Sequence, residues 1–226
     1  MKLKMILSFV TISIISILLV SITNNTLVIG KLEQAITENV ELEANNIAHS
    51  IDKWMALEKN SLYETMESII SNNNYEYEYV QGYLSKVNER SNGNEYYIAF
   101  ADKSLIMGSG WVADKDFDPT ARDWYAQARA SDDFYISEPY IDARTEEMII
   151  TISKAFQTSD GKEGVVGTDV GIDSLVKLVS ETHLGEGRYV FLLDNTGNII
   201  THPHKDFLPK IETGYKNISQ ILDGKL

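Results

Sequence analysis

The sequence predicts an α+β protein in which a long helical region precedes an antiparallel sheet. An uncharged apolar run opens the chain, and a long stretch without proline or glycine follows, with apolar residues at helical spacing. Short alternating segments separated by turn residues fill the remainder. The chain has 226 residues, of which 43% are hydrophobic and 23% charged, which is an ordinary composition for a folded protein.

The net charge of -13 and the absence of cysteine exclude several functional classes. A nucleic-acid-binding protein needs a basic face to meet the phosphate backbone, so the acidity argues against a nucleic-acid partner. The same acidity disfavours an anionic membrane surface, and we interpret it as a contribution to solubility. Without cysteine, the chain has no structural disulfide, thiolate metal site or cysteine nucleophile.

Residues 5–22 form an apolar run without a charge, preceded by Lys2 and Lys4. A run of about 18 residues is just long enough to cross a hydrocarbon core as a helix. The alternative is a cleaved signal peptide, but the residues that follow contain no small-x-small site. We therefore predict a cytoplasmic N-terminus and a transmembrane helix within residues 1–30. The positive-inside rule then places the rest of the chain outside the plasma (inner) membrane.

Residues 31–94 are predicted to form a long stalk helix and a second helix. Residues 31–71 contain no proline or glycine, and their apolar residues fit one helical face. Three asparagines at 72–74 predict a break, and a second helix is predicted at residues 76–89. The apolar positions of the stalk are Ile36, Val40, Ile47, Ile51, Trp54, Met55, Leu62, Met66 and Ile69.

The sequence after residue 94 predicts two related sheet modules, residues 95–183 and 184–226. Each begins with a Tyr-containing strand followed by Asp, a polar turn and a second short strand. The second module stops after two strands and a predicted helix, so we expect the sequence to be a fragment of a longer protein. Strands are predicted at 95–101, 104–107, 134–141, 148–158, 164–170, 188–194 and 199–202, and helices at 120–130 and 172–183.

One set of residues suggests a pocket for a zwitterion. Arg122 has the planar fork that binds a carboxylate through two parallel hydrogen bonds. Tyr140 and Asp142 are two residues apart on a predicted strand, so they share a face. Asp169, at the end of another predicted strand, can hold an ammonium group. The aromatic walls of this pocket are Trp124 and Tyr125.

Each of these residues also has a structural interpretation. Arg122 can form a surface ion pair, and the two adjacent aromatic residues can belong to the core. Tyr140 can pack with its hydroxyl on a backbone group, Asp142 can cap a turn and Asp169 can cap the helix that follows. Residue types and spacing alone leave both interpretations open.

From about residue 32 onward the chain resembles the double-Cache (dCache) sensor domain of bacterial methyl-accepting chemotaxis proteins. That family has a long N-terminal helix and two stacked PAS-like sheets, of which the membrane-distal one holds the ligand. Its amino-acid-binding subgroup carries a motif of Tyr, four residues, Arg, one residue and Trp-Tyr, then Tyr-x-Asp and a distant Asp. The residues at these positions are Phe117, Arg122, Trp124, Tyr125, Tyr140, Asp142 and Asp169.

The resemblance implies roles for these residues. Arg122 and Trp124 are expected to hold the ligand carboxylate, and Asp169, with the other aromatic and acidic groups, its ammonium. Phe117 departs from the motif because it lacks the tyrosine hydroxyl. A hydrogen bond to a charged group contributes about 1.5–3 kcal/mol, so we expect binding weaker by one or two decades unless another donor compensates.

The resemblance implies the extracytoplasmic sensing region of a transmembrane chemoreceptor that binds a free L-amino acid and dimerises through the long helix. The alternatives are the sensor of a histidine kinase or diguanylate cyclase, and a dCache domain for amines or small carboxylates. A membrane-anchored hydrolase is a distant alternative, because Gly-x-Ser-x-Gly and HExxH motifs are absent. Asp142 and Asp169 could pair for glycoside hydrolysis, but the nearby Arg122 favours binding without chemistry.

No cofactor and no metal are expected. His202 and His204 have no third ligand at a useful spacing. Trp54 and the tyrosines at 75, 77 and 79 are interpreted as helix-packing residues rather than as a carbohydrate platform.

Overall fold

The computed structural model describes five stretches of the chain, and these divide into two compact units, Met1–His49 and Ser50–Leu226. The described stretches are residues 2–91, 93–142, 144–180, 189–209 and 214–222.

Helix α1 extends from Lys2 to Asn72. It is continuous through residues 23–30, between the apolar run and the predicted stalk. There the Thr23 and Thr26 hydroxyls donate to backbone carbonyls three and four residues earlier. Within the described part of the chain, one helix, α1, is both long enough and apolar enough to cross a membrane. Asn73, at a φ of 47°, ends the helix at the predicted break.

Six strands of the second unit form one antiparallel sheet in the order β2-β1-β6-β5-β3, with β4 also paired to β5. The strands are β1 (Glu95–Phe100), β2 (Leu105–Met107), β3 (Tyr135–Ile136), β4 (Tyr140–Ile141), β5 (Met148–Gln157) and β6 (Glu163–Gly171). The helices that follow α1 are α2 (Tyr77–Asn88), α3 (Asp123–Ala130), α4 (Ile172–Ser180) and α5 (Ile218–Leu222).

Strand β1 is buried on both faces, and its alternating side chains enter two different hydrophobic clusters. Tyr96, Ile98 and Phe100 pack with buried residues of α1 and α2. Tyr97 and Ala99 pack with buried residues of α3, among them Trp124 and Tyr125. The helical layer of α1 and α2 therefore fixes one face of the sheet and leaves the other face to α3 and the candidate site.

The structure corrects two predicted elements. The strand predicted at 134–141 is divided into β3 and β4, because Pro139 between them has no N–H with which to continue the pairing. The helix predicted at 120–130 is a 3₁₀ turn, Pro119–Ala121, followed by α3. Arg122 lies between them in an extended conformation, with φ -82° and ψ 145°.

The second predicted hairpin is partly described. Strands β7 (Leu192–Leu193) and β8 (Ile199–Thr201) pair in antiparallel orientation, and the Asp194 side chain accepts from the backbone N–H groups of Thr196 and Asn198 in the turn. The predicted strand at 188–194 is thus shortened among the described residues to β7. Residues 181–188, which include the predicted end of the helix at 172–183, lie outside the described residues.

Candidate ligand-binding site

A cavity of about 380 Å³ lies over the sheet face that carries Tyr97. Strands β1, β2, β4 and β6, the loop that precedes the 3₁₀ turn, the start of α3 and the turn after β4 all contribute to its lining. Six of the seven residues predicted for the site line this cavity: Phe117, Arg122, Trp124, Tyr140, Asp142 and Asp169. The other lining residues are Tyr97, Leu105, Met107, Trp111, Asp114, Asp116 and Arg144.

Tyr125, the seventh predicted residue, is not among the residues that line the cavity. It is buried on α3, and its ring centroid lies 5.8 Å from that of Trp124. Trp124 in turn contacts the ring of Tyr97 edge to face, with centroids 5.0 Å apart. Tyr125 therefore packs behind the cavity wall. This agrees with the alternative given above, in which Tyr125 belongs to the hydrophobic core.

Arg122 is held at the cavity by the local chain geometry. Asp118 caps the 3₁₀ turn by accepting from the Thr120 N–H, and Pro119 fixes the first residue of the turn. The guanidinium carbon of Arg122 lies 5.6 Å from the ring centroid of Phe117. In the part of the chain that the structure describes, the ion pairs found do not include Arg122. Its guanidinium is therefore available to an anionic ligand group.

Asp169 lies in a row of three residues across neighbouring strands, with Glu95 on β1 and Thr151 on β5 as its register partners. Its Oδ1 atom accepts hydrogen bonds from the Tyr97 hydroxyl at 2.8 Å and from the Thr151 hydroxyl at 2.7 Å. Its Oδ2 atom has no hydrogen-bond donor within the described residues. Asp169 is thus anchored by side chains of the sheet and keeps one oxygen for a ligand.

Burial raises the pKa of Asp169 from 3.8 to about 6. The hydrogen bonds from Thr151 and Tyr97 act in the opposite direction, and the negative charges of Asp142 and Glu95 add to the increase. The site therefore contains a carboxylate whose charge is costly until a cation lies beside it.

Tyr140 and Thr151 form the next contact, with 2.7 Å between their hydroxyl oxygens. Because the Thr151 hydroxyl donates its single proton to Asp169, it accepts from Tyr140. Burial and the charge of Asp169 raise the pKa of Tyr140, which keeps this hydroxyl protonated at neutral pH.

Asp142 combines a turn cap with a place in the cavity wall. Its Oδ2 atom accepts from the Thr145 N–H at 3.1 Å and from the Thr145 hydroxyl at 2.9 Å. The Arg144 side chain lies 3.9 Å from the same oxygen and 3.7 Å from Glu95 Oε2. The charge of Arg144 is therefore already balanced, in contrast to that of Arg122.

Besides Asp114 and Asp116 of the cavity lining, sequence reasoning missed three polar residues that contact predicted ones, namely Tyr97, Thr151 and Arg144. Arg144 follows Asp142 closely, so a search for a second cation near the Tyr-x-Asp segment would have found it. The other two enter the site through strand register, which the local pattern does not specify.

Only part of the other clusters noted in the sequence belongs to packing, because Tyr77 and Tyr79 are exposed. Trp54 and Tyr75 are partly buried against the main hydrophobic cluster. The His202 ring lies 4.6 Å from that of Phe207, and His202 Nδ1 accepts the backbone N–H of His204. No group of three or more side chains suited to a metal ion is found among the residues that the structure describes.

Comparison with known proteins identifies relatives of this chain among chemotaxis proteins. It is 36% identical over 94 residues to the methyl-accepting chemotaxis protein McpG of Pseudomonas putida, covering 42% of this chain and 15% of McpG. It is 36% identical over 108 residues to the methyl-accepting chemotaxis protein TlpB of Bacillus subtilis, covering 47% of this chain and 16% of TlpB. The matched region is thus a small part of each relative.

Solved structures show the same fold. The ligand-binding domain of the Pseudomonas fluorescens chemoreceptor CtaA with L-serine has a TM-score of 0.61 and 26% identity, covering 72% of this chain and 70% of that one. The same domain with L-alanine gives a TM-score of 0.60 and 28% identity, covering 72% and 69%. The predicted α+β fold is confirmed by these likenesses.

A family model, dCache_1, described as Cache domain, matches residues 28–225. This range contains all of the described second unit as well as part of the first. The predicted family is thereby confirmed, and the chain belongs to the Cache domain family.

Proposed function

We propose that this chain is the extracytoplasmic sensing region of a transmembrane chemoreceptor and that its cavity binds a free L-amino acid. One observation carries the proposal: Arg122 and Asp169 line the same cavity. Within the described residues, the Arg122 guanidinium has no ion-pair partner, and one carboxylate oxygen of Asp169 has no hydrogen-bond donor. An α-amino acid carries the two complementary charges on one small molecule.

In the proposed binding mode, Arg122 takes the ligand carboxylate through a bidentate hydrogen bond, and Trp124 lies beside it. The ammonium group lies against Asp169, Tyr140 and Asp142. Asp169 Oδ2 and Asp142 Oδ1 accept no other hydrogen bond within the described residues, and a phenolic oxygen that donates its proton to Thr151 still offers a lone pair.

Four apolar lining residues suit the ligand side chain. Leu105, Met107, Trp111 and Phe117 form an apolar wall, and the Trp111 and Phe117 rings contact each other edge to face at 5.9 Å. A wall of this kind favours an aliphatic or small side chain, because burial of apolar surface contributes about 25 cal/mol per Å². The CtaA domains that resemble this chain were solved with L-serine, L-leucine, L-alanine and L-isoleucine.

The alternative ligands satisfy the site less well. A simple amine leaves the Arg122 guanidinium without a partner, and a simple carboxylate leaves the partly buried Asp169 without a cation. A hydrolase is disfavoured because the described lining contains no serine, threonine, cysteine, lysine or histidine, and because Arg122 matches a bound anion. We therefore propose binding without chemistry.

We propose that the apolar part of α1 anchors the chain in the plasma membrane, with the second unit outside the cell. The same helix carries exposed apolar side chains at Leu32, Ile36 and Val40, which are 58%, 46% and 48% exposed. These residues suit the proposed homodimer, because a second copy of α1 can cover them. A chemotaxis output is favoured over a kinase or cyclase output because the reported relatives are methyl-accepting chemotaxis proteins.

The test is a ligand screen on the 226-residue chain in detergent. Thermal unfolding is measured with each of the twenty common L-amino acids, and hits are confirmed by titration calorimetry. A ligand present at 100 times its dissociation constant adds about 2.7 kcal/mol of stability. We expect at least one amino acid to raise the unfolding temperature, and the shift to disappear in Arg122→Ala and in Asp169→Ala. A folded chain that responds to no amino acid but does respond to amines or plain carboxylates would overturn the proposal.

A further inference from the structure

We infer that Thr151, together with Tyr97, positions Asp169 and fixes the direction of proton donation, so that Asp169 and Tyr140 both face the ligand as hydrogen-bond acceptors. The identity of the ligand group rests on the proposed function, whereas the hydrogen-bond chain does not. Neither Thr151 nor Tyr97 belongs to the motif that the sequence matches, so this adds two positioning residues to the site.

Thr151 is held from both its backbone and its side chain. It is fully buried, and on β5 it stands opposite Asp169 of β6. Its backbone N–H donates to the Ser137 hydroxyl at 2.9 Å, and its carbonyl accepts the Ser137 N–H at 2.9 Å. These bonds tie Thr151 to the segment that separates β3 from β4, two residues before Pro139 and three before Tyr140. The hydroxyl of Thr151 is therefore fixed between Asp169 and Tyr140.

The proton order follows from the chemistry of the three groups. An ionised carboxylate only accepts, so both the Thr151 and the Tyr97 hydroxyls donate to Asp169 Oδ1. Because Thr151 has then used its one proton, the Tyr140 hydroxyl donates to Thr151. The protons of all three hydroxyls are consumed within the chain. What remains for the cavity is Asp169 Oδ2 and a lone pair of Tyr140, and a ligand ammonium matches both.

The two donors also stabilise the charged form of Asp169. Burial raises the pKa of this carboxyl to about 6, and the hydrogen bonds from Thr151 and Tyr97 oppose that increase. Their removal raises the pKa of Asp169 further, so that more of the carboxyl is protonated at neutral pH. A protonated carboxyl needs an acceptor and repels an ammonium hydrogen, so the site then loses the partner of the ligand amine.

Three variants test this inference. Thr151→Val keeps the shape of the side chain but removes the hydroxyl, Thr151→Ser keeps the hydroxyl, and Tyr97→Phe removes the second donor. The first readout needs no ligand: the Asp169 carboxyl carbon of ¹³C-labelled full-length chain in detergent is titrated by NMR, with Asp169→Asn identifying the signal. We expect a higher Asp169 pKa in Thr151→Val and Tyr97→Phe, and a wild-type value in Thr151→Ser.

The second readout compares L-alanine with propionate, which lacks only the amino group. We expect Thr151→Val to weaken L-alanine binding by about tenfold or more, because the variant removes a hydrogen bond to the charged Asp169 carboxylate. Propionate binding should change less than twofold. A merely structural role would weaken both compounds alike and would overturn the inference. So would an Asp169 titration that is unchanged in both Thr151→Val and Tyr97→Phe. If the wild-type chain binds no amino acid, the proposed function fails, and the titration still decides whether Thr151 positions Asp169.

Discussion

Gly167 lies directly beneath the ring of Tyr97, so that a Cβ atom added at Gly167 would come within 2.6 Å of Tyr97 Cε2 and 2.8 Å of Cζ. The two residues are register partners on the adjacent strands β6 and β1. Because glycine has no side chain, the tyrosine ring can cross its backbone, and the hydroxyl reaches Asp169 two residues further along β6. The glycine is therefore part of the reason why Asp169 has a second donor.

We expect Gly167→Ala to weaken amino-acid binding by displacing the Tyr97 ring from Asp169. Forced contacts in a packed core cost about 1–3 kcal/mol, so the unfolding temperature should fall as well. Gly171→Ala is the matched control, since an added Cβ there meets no atom within 4 Å. Calorimetry and thermal unfolding of both variants check the prediction, and equal binding in Gly167→Ala and Gly171→Ala would contradict it.

Arg122→Lys is expected to weaken amino-acid binding by about tenfold or more, because a lysine ammonium cannot form the bidentate pair that a guanidinium forms with a carboxylate. Stability should change little, since Arg122 has no ion-pair partner among the residues that the structure describes. Arg129→Lys is a suitable control: Arg129 is on α3, which begins directly after Arg122, and it pairs with Glu163 at 2.6 Å, away from the cavity lining. Titration calorimetry should show a loss for Arg122→Lys alone.

The parts of the fold that could be predicted are those whose boundaries are marked locally. The asparagines at 72–74 before α2 and the Ser-Asn-Gly sequence at 91–93 after it mark both ends of the helix, which was predicted at 76–89 and is found at Tyr77–Asn88. The β5–β6 hairpin was recognisable from its turn, where Gly161 has the positive φ of 86° that glycine tolerates. The division of the strand at 134–141 was missed, although Pro139 was the available signal.

The site could be predicted only in part, because spacing along the chain does not fix register across a sheet. Arg122, Tyr140 and Asp169 were found through a spaced motif, and they do line one cavity. Tyr97 and Thr151 contact Asp169 only because β1 and β5 pair with β6 in a particular register. A shift of one residue would turn these side chains to the opposite face, and the local sequence does not distinguish the two cases.

Phe117→Tyr is expected to strengthen amino-acid binding, because it restores the hydroxyl present at this position in the resembling motif. Phe117 lines the cavity. The guanidinium carbon of Arg122, which we propose binds the ligand carboxylate, lies 5.6 Å from the Phe117 ring centroid. One additional hydrogen bond to a charged group corresponds to about tenfold or more in affinity. Calorimetry on wild type and Phe117→Tyr checks this, with Trp111→Phe as a control for altered ring packing. Unchanged or weaker binding in Phe117→Tyr would show that another donor already serves the carboxylate.

Amino-acid binding is expected to weaken as the pH falls below about 6, the pKa to which burial raises Asp169 in the absence of ligand. Below that pH the carboxyl is protonated, and a ligand ammonium must displace the proton, which costs up to about tenfold in affinity per pH unit. Calorimetry between pH 7.5 and 5, at about half-unit steps, measures this slope. A pH-independent affinity for a ligand that requires Asp169 would contradict the assignment of the ammonium to this carboxylate.

Asp169→Asn is expected to abolish amino-acid binding and yet to leave the ligand-free chain as stable as the wild type, or more stable, at pH 7. The pKa of Asp169 is raised by folding, so between pH 4 and 6 the folded state binds more protons than the unfolded state, and stability falls as the pH rises through that window. Above pH 6 the full cost of this partly buried charge remains, on the order of 1–3 kcal/mol for a shift of this size. The asparagine carbonyl can still accept from Tyr97 and Thr151 without that cost.

Thermal unfolding at pH 7 and pH 5 distinguishes the wild type from Asp169→Asn. Acidification should stabilise the wild type relative to Asp169→Asn. A variant that is less stable at both pH values would mean that the carboxylate supports the fold rather than the ligand.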